Sequence, residues 1–259
     1  MNTAPMPVAV NTFREAVRDR VLYNLVFFTL LMIGAAILVG QISIGIDRLV
    51  IVNLGLSAIS IFGLVMAIFI GVGLVSKEIE KRTLYSLLAQ PVRRWEFLVG
   101  KYAGLVLTLV VNTSFMTLGL AAALYYVGRP FVRTDGEILV SIYFILLQLA
   151  LVTAIALFFS CFSTPMLSTL FTLGIYITGV FASDIKEFGD LTNSSGLKVL
   201  TRAIYYLVPN FHNFNSIAAA SHGEPIPPAL VGQNTLYAAL YVALLLVAAS
   251  AIFSRRNLK

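Results

Sequence analysis

Residues 138–162 read ILVSIYFILLQLALVTAIALFFSCF, a stretch without one charged side chain. A helix rises 1.5 Å per residue, so about 20 apolar residues cross a hydrocarbon core of about 30 Å. Apolarity is sustained along this stretch instead of alternating, and a strand of a membrane barrel would alternate. The stretch therefore predicts a membrane-spanning helix.

Five further apolar runs of this kind occur along the chain. They cover residues 21–40, 49–75, 98–127, 165–181 and 231–253. The 259 residues are 59% hydrophobic and 12% charged, with a mean hydropathy of +0.90. Such a composition leaves too few polar side chains to cover a soluble globule. We predict an all-α membrane protein whose single domain, residues 1–259, has six transmembrane helices.

The basic residues predict the orientation of these helices. With six crossings both termini share one side, and most of the 18 Lys and Arg lie there. They are Arg14, Arg18, Arg20, Lys77, Lys81, Arg82, Arg93, Arg94, Lys101, Arg255, Arg256 and Lys259. Positive charge collects on the cytoplasmic side of membrane proteins. Both termini are therefore predicted to be cytoplasmic, and the net charge of +6 needs no nucleic acid to explain it.

Residues 11–20 predict a short helix before the first span. Thr12 and Glu15 have the spacing of a capping box, and Phe13, Val17 and Val21 recur on one helical face. Such a helix would lie at the interface, in the plane of the lipid headgroups. A simple extension of the first span is the alternative.

The polar loop at residues 76–97 carries the densest charge pattern. Glu78 precedes Arg82 by four residues, the favourable order for a helical ion pair, and Pro91 would end the helix. One half of the helical wheel collects Ile79, Thr83, Leu84, Leu87 and Leu88. We predict an amphipathic helix on the cytoplasmic surface. A solvated turn would explain the arginines, but it would not explain Glu78, Glu80 or the apolar stripe.

Two other polar segments interrupt the apolar runs. Residues 160–165 form a very short break, which by itself indicates a hairpin turn, with Pro165 in the first turn of the next helix. Residues 182–230 form a long external segment that begins acidic and turns at residues 193–196. Its second part has Leu197, Leu200, Ile204 and Leu207 at helical spacing before Pro209. That helix would lie at the outer interface or dip into the membrane.

No pattern of a catalytic or metal site is found in the sequence. Cys161 is the single cysteine, and His212 and His222 lack the spacing of metal ligands. Before Gly100-Lys101, Trp95 stands where a Walker A loop needs glycine, so the chain is not expected to hydrolyse ATP. Neutral polar residues within the spans are candidate pathway residues: Asn112, Ser114, Gln148, Thr169, Thr172 and Tyr176. Hydrogen bonds inside the bundle are the favoured interpretation. Gly63, Ala67 and Gly71, at four-residue intervals, predict a close helix contact.

The loop pattern Glu78-x-Glu80-x-Arg82-Thr83, with Leu87-Leu88-x-x-Pro91-x-x-Arg94 and Gly100-Lys101 after it, resembles type-2 ABC transporter permeases. The similarity extends to the six-span layout, the helix before the first span, the long segment before the last span and the tail Phe253-x-Arg255-Arg256. Within this ABC-2 permease family the chain is most similar to the branch associated with maturation of multicopper enzymes such as nitrous oxide reductase.

The resemblance implies a membrane subunit that moves a substrate outward. Its partner would be a separate ATP-binding subunit, which holds ATP and Mg, and a second permease copy would complete the transporter in a bacterial-type inner membrane. Carried onto this sequence, a coupling helix contacts the ATP-binding subunit through Glu78, Glu80, Arg82, Thr83, Leu87, Leu88, Pro91 and Arg94, with a lesser contact at Phe162, Ser163 and Thr164. A membrane anchor that recruits a cytoplasmic partner without moving a solute is the alternative function.

Overall fold

The computed structural model describes residues 5–18, 20–42, 45–80, 94–127, 136–192 and 194–255, and no strand occurs among them. Its helices, in chain order, are α1 Pro5–Val17, α2 Arg20–Ile42, α3 Asp47–Glu80, α4 Arg94–Tyr126, α5 Gly136–Ser160, α6 Pro165–Val180, α7 Ala182–Leu191 and α8 Ser195–Leu207, then a 3-10 helix Phe211–Phe214, α9 Ile217–His222 and α10 Pro228–Arg255. The predicted all-α class is confirmed.

Five of these helices, α2, α3, α4, α5 and α10, are long and apolar enough to cross a membrane. The helix found at the predicted fifth span, residues 165–181, is too short to cross the membrane alone. This helix, α6, has 16 residues and is about 24 Å long, whereas the hydrocarbon core is about 30 Å thick. It continues into α7 through a bend of 56°. Backbone hydrogen bonds run through the bend, from the Phe181 N–H to the Ile177 oxygen at 3.2 Å and from the Ile185 N–H to the Phe181 oxygen at 2.9 Å. A sixth crossing exists if this bent pair is one span.

The order of the helices gives the bundle two different ends. At one end α5 stops and α6 starts, joined by the turn at residues 161–164, and we call this the turn end. At the other end α6 stops and α10 starts, joined by residues 181–227, and we call this the segment end. Successive spans run in opposite directions, so the start of α4 and the end of α3 also lie at the turn end.

Helices α3 and α5 form the central contact of the bundle. A Cβ added at Gly63 would lie 2.7 Å from Leu149 Cδ1, and one at Gly71 would lie 2.7 Å from the Ala156 Cβ. Ala67, between the two glycines, is fully buried. Small residues let two helix backbones approach closely enough for such contacts. The close helix contact predicted for Gly63, Ala67 and Gly71 is therefore confirmed.

Helix α1 packs on the first turns of α4. A Cβ at Gly100 would lie 2.7 Å from the Pro5 oxygen, and one at Gly104 would lie 2.5 Å from the Ala9 oxygen and 2.8 Å from the Thr12 Cβ. Thr12 is buried within the helix, so the predicted capping box at Thr12 and Glu15 is wrong. The helix begins at Pro5 and ends at Val17, before α2 begins at Arg20. It is therefore a separate element and not an extension of the first span.

The packing of α1 makes Gly104→Leu a selective test. We expect the leucine to push α1 off α4, because the contacted carbonyl and β-carbon belong to the helix itself and cannot rotate away. With Thr12→Cys as the reporter, labelling by a maleimide should rise at least about tenfold, as expected for a local opening. Cys161 is buried and provides the low background.

Gly34→Leu is the matched control, because a Cβ at Gly34 meets nothing within 4 Å. Labelling of Thr12→Cys should be unchanged by this control. Equal labelling in the Gly104→Leu and Gly34→Leu proteins would contradict the packing of α1 on α4.

Candidate functional site

The residues predicted to bind an ATP-binding subunit fall mostly outside the described residues. Arg82, Thr83, Leu87, Leu88 and Pro91 all lie there, and so do the side chains of Glu78, Glu80 and Arg94. The backbone of α3 stays helical to Glu80, and α4 begins at Arg94. Residues 76–80 of the predicted loop therefore continue α3 and residues 94–97 begin α4, while the amphipathic helix predicted between them stays a prediction.

Gly100 and Lys101, which follow this loop, lie inside α4. Gly100 faces α1. The side chain of Lys101 is buried, with its ammonium nitrogen 5.5 Å from the centre of the Phe97 ring, an attractive contact between a cation and an aromatic face. The pair therefore contributes to helix packing at the turn end.

The predicted lesser contact, Phe162, Ser163 and Thr164, is described in full. It is the tight turn between α5 and α6, and Pro165 occupies the first turn of α6 as predicted. The Phe162 ring is 43% exposed, although phenylalanine usually buries its ring in a turn packed on a bundle. The turn therefore offers an aromatic side chain at the surface of the turn end.

Gln148 connects three helices in the interior of the bundle. It is 5% exposed, and its Nε2 donates to the hydroxyl of Tyr176 at 3.2 Å and to the Ser60 Oγ at 3.5 Å. These contacts join α5 to α6 and α3. Ser60 was not among the predicted residues, although it precedes Gly63 by three positions and so lies on the same face of α3.

The other four candidate pathway residues form hydrogen bonds within their own helices. Asn112 Nδ2 donates to the Thr108 oxygen at 3.0 Å and Ser114 Oγ to the Val110 oxygen at 2.7 Å. Thr169 Oγ1 donates to the Pro165 oxygen at 3.0 Å and Thr172 Oγ1 to the Ser168 oxygen at 2.7 Å. Bonds to the carbonyl four residues earlier satisfy these groups locally. Of the six residues, the hydrogen bonds join only Gln148 and Tyr176, and a pathway role stays a prediction for all six.

A row of aromatic rings runs from Tyr176 across the segment end. The Tyr176 and Phe211 ring centres lie 5.0 Å apart, Phe211 and Phe214 6.4 Å, and Phe214 and Tyr237 6.2 Å. Tyr241 extends the row at 4.8 Å from Tyr237. Phe211 and Phe214 are each 1% exposed. The 3-10 helix therefore fills the space between α6 and α10 with two buried rings.

Polar contacts hold residues 209–227, which we call the closing segment, to two spans. On α5, Ser141 Oγ lies 2.7 Å from Ser216 Oγ, and the Glu137 Oε2 accepts from the Ile226 N–H at 3.0 Å. On α10, Asn234 Nδ2 donates to the Asn213 oxygen at 2.7 Å. Partly buried hydrogen bonds of this kind cost free energy to break without replacement. The closing segment is therefore fixed on both sides.

Asn210 starts the 3-10 helix and orients it. Its Oδ1 accepts from the His212 N–H at 3.0 Å, its Nδ2 donates to Ser183 Oγ at 3.1 Å, and its own N–H donates to the Tyr237 hydroxyl at 2.8 Å. The helix predicted from Leu197 to Leu207 is confirmed by α8, Ser195–Leu207, whereas residues 195 and 196 of the predicted turn are part of that helix and residue 193 lies outside the described residues. Asn210 was not among the residues predicted from the sequence, although an asparagine directly after a proline, where turns start, was the available signal.

Comparison with known proteins decides the family. The family described as ABC-2 family transporter protein matches residues 6–258, nearly the whole chain. The chain belongs to this family. No curated protein matches it.

Membership makes this ABC-2 protein a membrane transport protein, of the type that forms the membrane subunit of an ABC transporter. Subunits of this type normally lack an ATPase site of their own and work with an ATP-binding subunit. The several long apolar helices agree with a protein that crosses the membrane many times.

Proposed function

We propose that this ABC-2 permease exports its substrate, driven by ATP hydrolysis in a separate ATP-binding subunit. The observation that carries the proposal is the family match over residues 6–258. The turn end faces the cytoplasm in this proposal, because most of the basic residues belong to it. ATP and Mg are bound by the partner and not by this chain.

Two surfaces of the turn end receive the ATP-binding subunit in this proposal. The end of α3, the residues that follow it and the start of α4 supply Glu78, Glu80, Arg82 and Arg94, whose mixed charges would set the register of docking. The turn after α5 supplies the exposed ring of Phe162. Aromatic side chains are frequent anchors at protein interfaces. Closure of the subunit on ATP would then displace the ends of α3, α5 and α6 together.

The closing segment is the release gate in this proposal. It seals the segment end with Phe211 and Phe214, and it is tied to α5 through Ser141 and Glu137. A release path at this end requires those contacts to open. The closing segment would then have two packings, closed and open, and ATP binding would shift the population toward the open one.

A second copy of the permease completes the path, which α3 and α6 largely line. Helix α6 buries only Ser168, Thr172 and Gly179 within this chain, so most of its apolar side chains are exposed. In the assembled transporter they would contact lipid or the second copy. The neutral groups of Gln148 and Tyr176 suit a substrate without a strong charge. As part of this proposal, the chain belongs to the branch of the family associated with maturation of multicopper enzymes.

Charge reversal in the loop tests the proposal. In a complex with its ATP-binding subunit, Glu78→Lys or Arg82→Glu should leave ATP hydrolysis running while the nucleotide-dependent opening of the segment end falls at least about threefold, because the docking charges no longer match. Opening is measured as the distance between labels at Tyr126 and His222, both exposed.

Arg129→Glu is the control, since this residue belongs to the opposite side in the proposal. Full opening in both loop variants would contradict the contact map. A wild-type complex that hydrolyses ATP, yet never changes the distance between Tyr126 and His222, would instead identify the chain as an anchor.

A further inference from the structure

Four phenylalanines meet at the turn end, and we call them the phenylalanine cluster: Phe158, Phe159, Phe162 and Phe171. Phe159 contacts all three others, with ring centres 5.2 Å from Phe158, 5.7 Å from Phe162 and 5.2 Å from Phe171. Phe158 and Phe162 are 5.3 Å apart. Among the described ring contacts, Phe159 alone reaches from the turn to α6.

The backbone of the turn is bonded to the end of α5. The Cys161 N–H donates to the Phe158 oxygen at 3.2 Å, and the Phe159 oxygen accepts from Phe162 at 3.2 Å and Ser163 at 2.9 Å. A displacement of the exposed Phe162 is therefore passed to α5 through main-chain hydrogen bonds. On its other side the turn is bonded to the start of α6, where the Ser168 N–H donates to the Thr164 oxygen at 2.8 Å.

In its first half, α6 buries only Ser168 and Thr172, which are both small. The Ser168 hydroxyl is buried and has no hydrogen-bond partner among the described residues. Phe171 is the large side chain that connects the first half of α6 to the turn, through Phe159. The position of this half of α6 thus depends on the Phe159–Phe171 contact.

We infer that Phe159 is a positioning residue that makes α5 and α6 move together when the ATP-binding subunit displaces Phe162. The inference rests on the proposed function, because it assigns the exposed side of Phe162 to that subunit. Phe162 receives the displacement, and the main chain of the turn passes it to the end of α5 and the start of α6. The contact between the Phe159 and Phe171 rings holds the first half of α6 against α5 during this movement. Packed rings transmit small shifts because a close-packed contact does not deform continuously.

The test compares Phe159→Leu with Phe159→Tyr in the complex with the ATP-binding subunit. Labels at Leu107 on α4 and Leu170 on α6, both exposed, report the position of α6. Phe159→Leu should lose more than about half of the distance shift caused by ATP with vanadate, because the ring contact is gone. Phe159→Tyr keeps the ring and should keep the shift. Binding of the ATP-binding subunit should stay within about twofold of wild type in both, since neither changes Phe162.

Phe115→Leu is the control, because this exposed phenylalanine on α4 lies outside the cluster. A full shift in Phe159→Leu would overturn the inference while leaving the proposed function intact. If the wild-type complex shows no shift at all, the proposed function fails instead. The positioning role is then decided on the permease alone, where Phe159→Leu must broaden the distance distribution between Leu107 and Leu170, and an unchanged width overturns it.

Discussion

Replacing Gly71 by leucine should prevent the bundle from forming its central contact, whereas Gly73→Leu, two residues away, should be tolerated. A Cβ at Gly71 would lie 2.7 Å from the Ala156 Cβ and 3.4 Å from the Thr153 oxygen. The first atom is the whole side chain of an alanine on α5, and the second belongs to the backbone of α5. Neither can rotate away, so α3 and α5 must separate. We expect a cost of about 3 kcal/mol or more, the upper range for overpacking. At Gly73 a Cβ meets nothing within 4 Å.

Thermal unfolding of the purified permease in detergent measures this difference. Gly71→Leu should lower the midpoint by about 10 °C or give aggregated protein, given a few degrees per kcal/mol for a chain of this size. Gly73→Leu should unfold at or slightly above the wild-type midpoint, because leucine is the better helix former. Similar midpoints for the two variants would show that α3 and α5 are not packed through Gly71.

The spans could be predicted from sequence because the bilayer sets their length, and the contact at Gly63 and Gly71 could be predicted because small residues recur at helical spacing. The bend after α6 could not. Gly179 stands two residues before the bend at Phe181, but a single glycine inside an apolar run does not show where a helix stops. Instead Gly179 lies against Pro209 and Phe211, and Asn210 bonds to Ser183, so distant residues decide where α6 stops.

The N-terminal helix shows the same limit. The spacing of Thr12 and Glu15 was typical of a helix start, yet Thr12 lies in the middle of α1. Its burial is decided by Gly104, which is far away in sequence and leaves room for the Thr12 side chain. A capping pattern reports local preference only, and tertiary packing overrides it here.

The interior polar residues were found by their type, but their partners were not. A serine or threonine in a helix can bond its own backbone four residues earlier, as Ser114 and Thr172 do, and nothing in the sequence separates these from residues that bond a neighbouring helix. The Ser141–Ser216 pair is separated by 75 positions. No periodicity connects such residues, so the closing segment could be recognised only once the chain was folded.

A disulfide between Ser141→Cys and Ser216→Cys should lock the permease and stop ATP-driven opening of the segment end. The hydroxyl oxygens are 2.7 Å apart, so two sulfur atoms need only a small approach to reach the disulfide length of about 2.05 Å. If the closing segment is the gate, the disulfide makes the open packing inaccessible. Oxidation of the double variant should then lower the ATPase rate of the complex, and the change in distance between labels at Tyr126 and His222, at least about tenfold.

Reduction of the same sample should restore the ATPase rate and the opening of the segment end to within about twofold of wild type. This recovery separates locking from misfolding, since a misfolded protein would not recover when one disulfide is cleaved. The single variants Ser141→Cys and Ser216→Cys should be unaffected by oxidant, and Cys161 is buried in the turn at the opposite end. Continued opening in the oxidised double variant would mean that the α5 contact at Ser141 holds in both states. The release path would then lie between α10 and the closing segment, which Asn234 and Tyr237 join by hydrogen bonds.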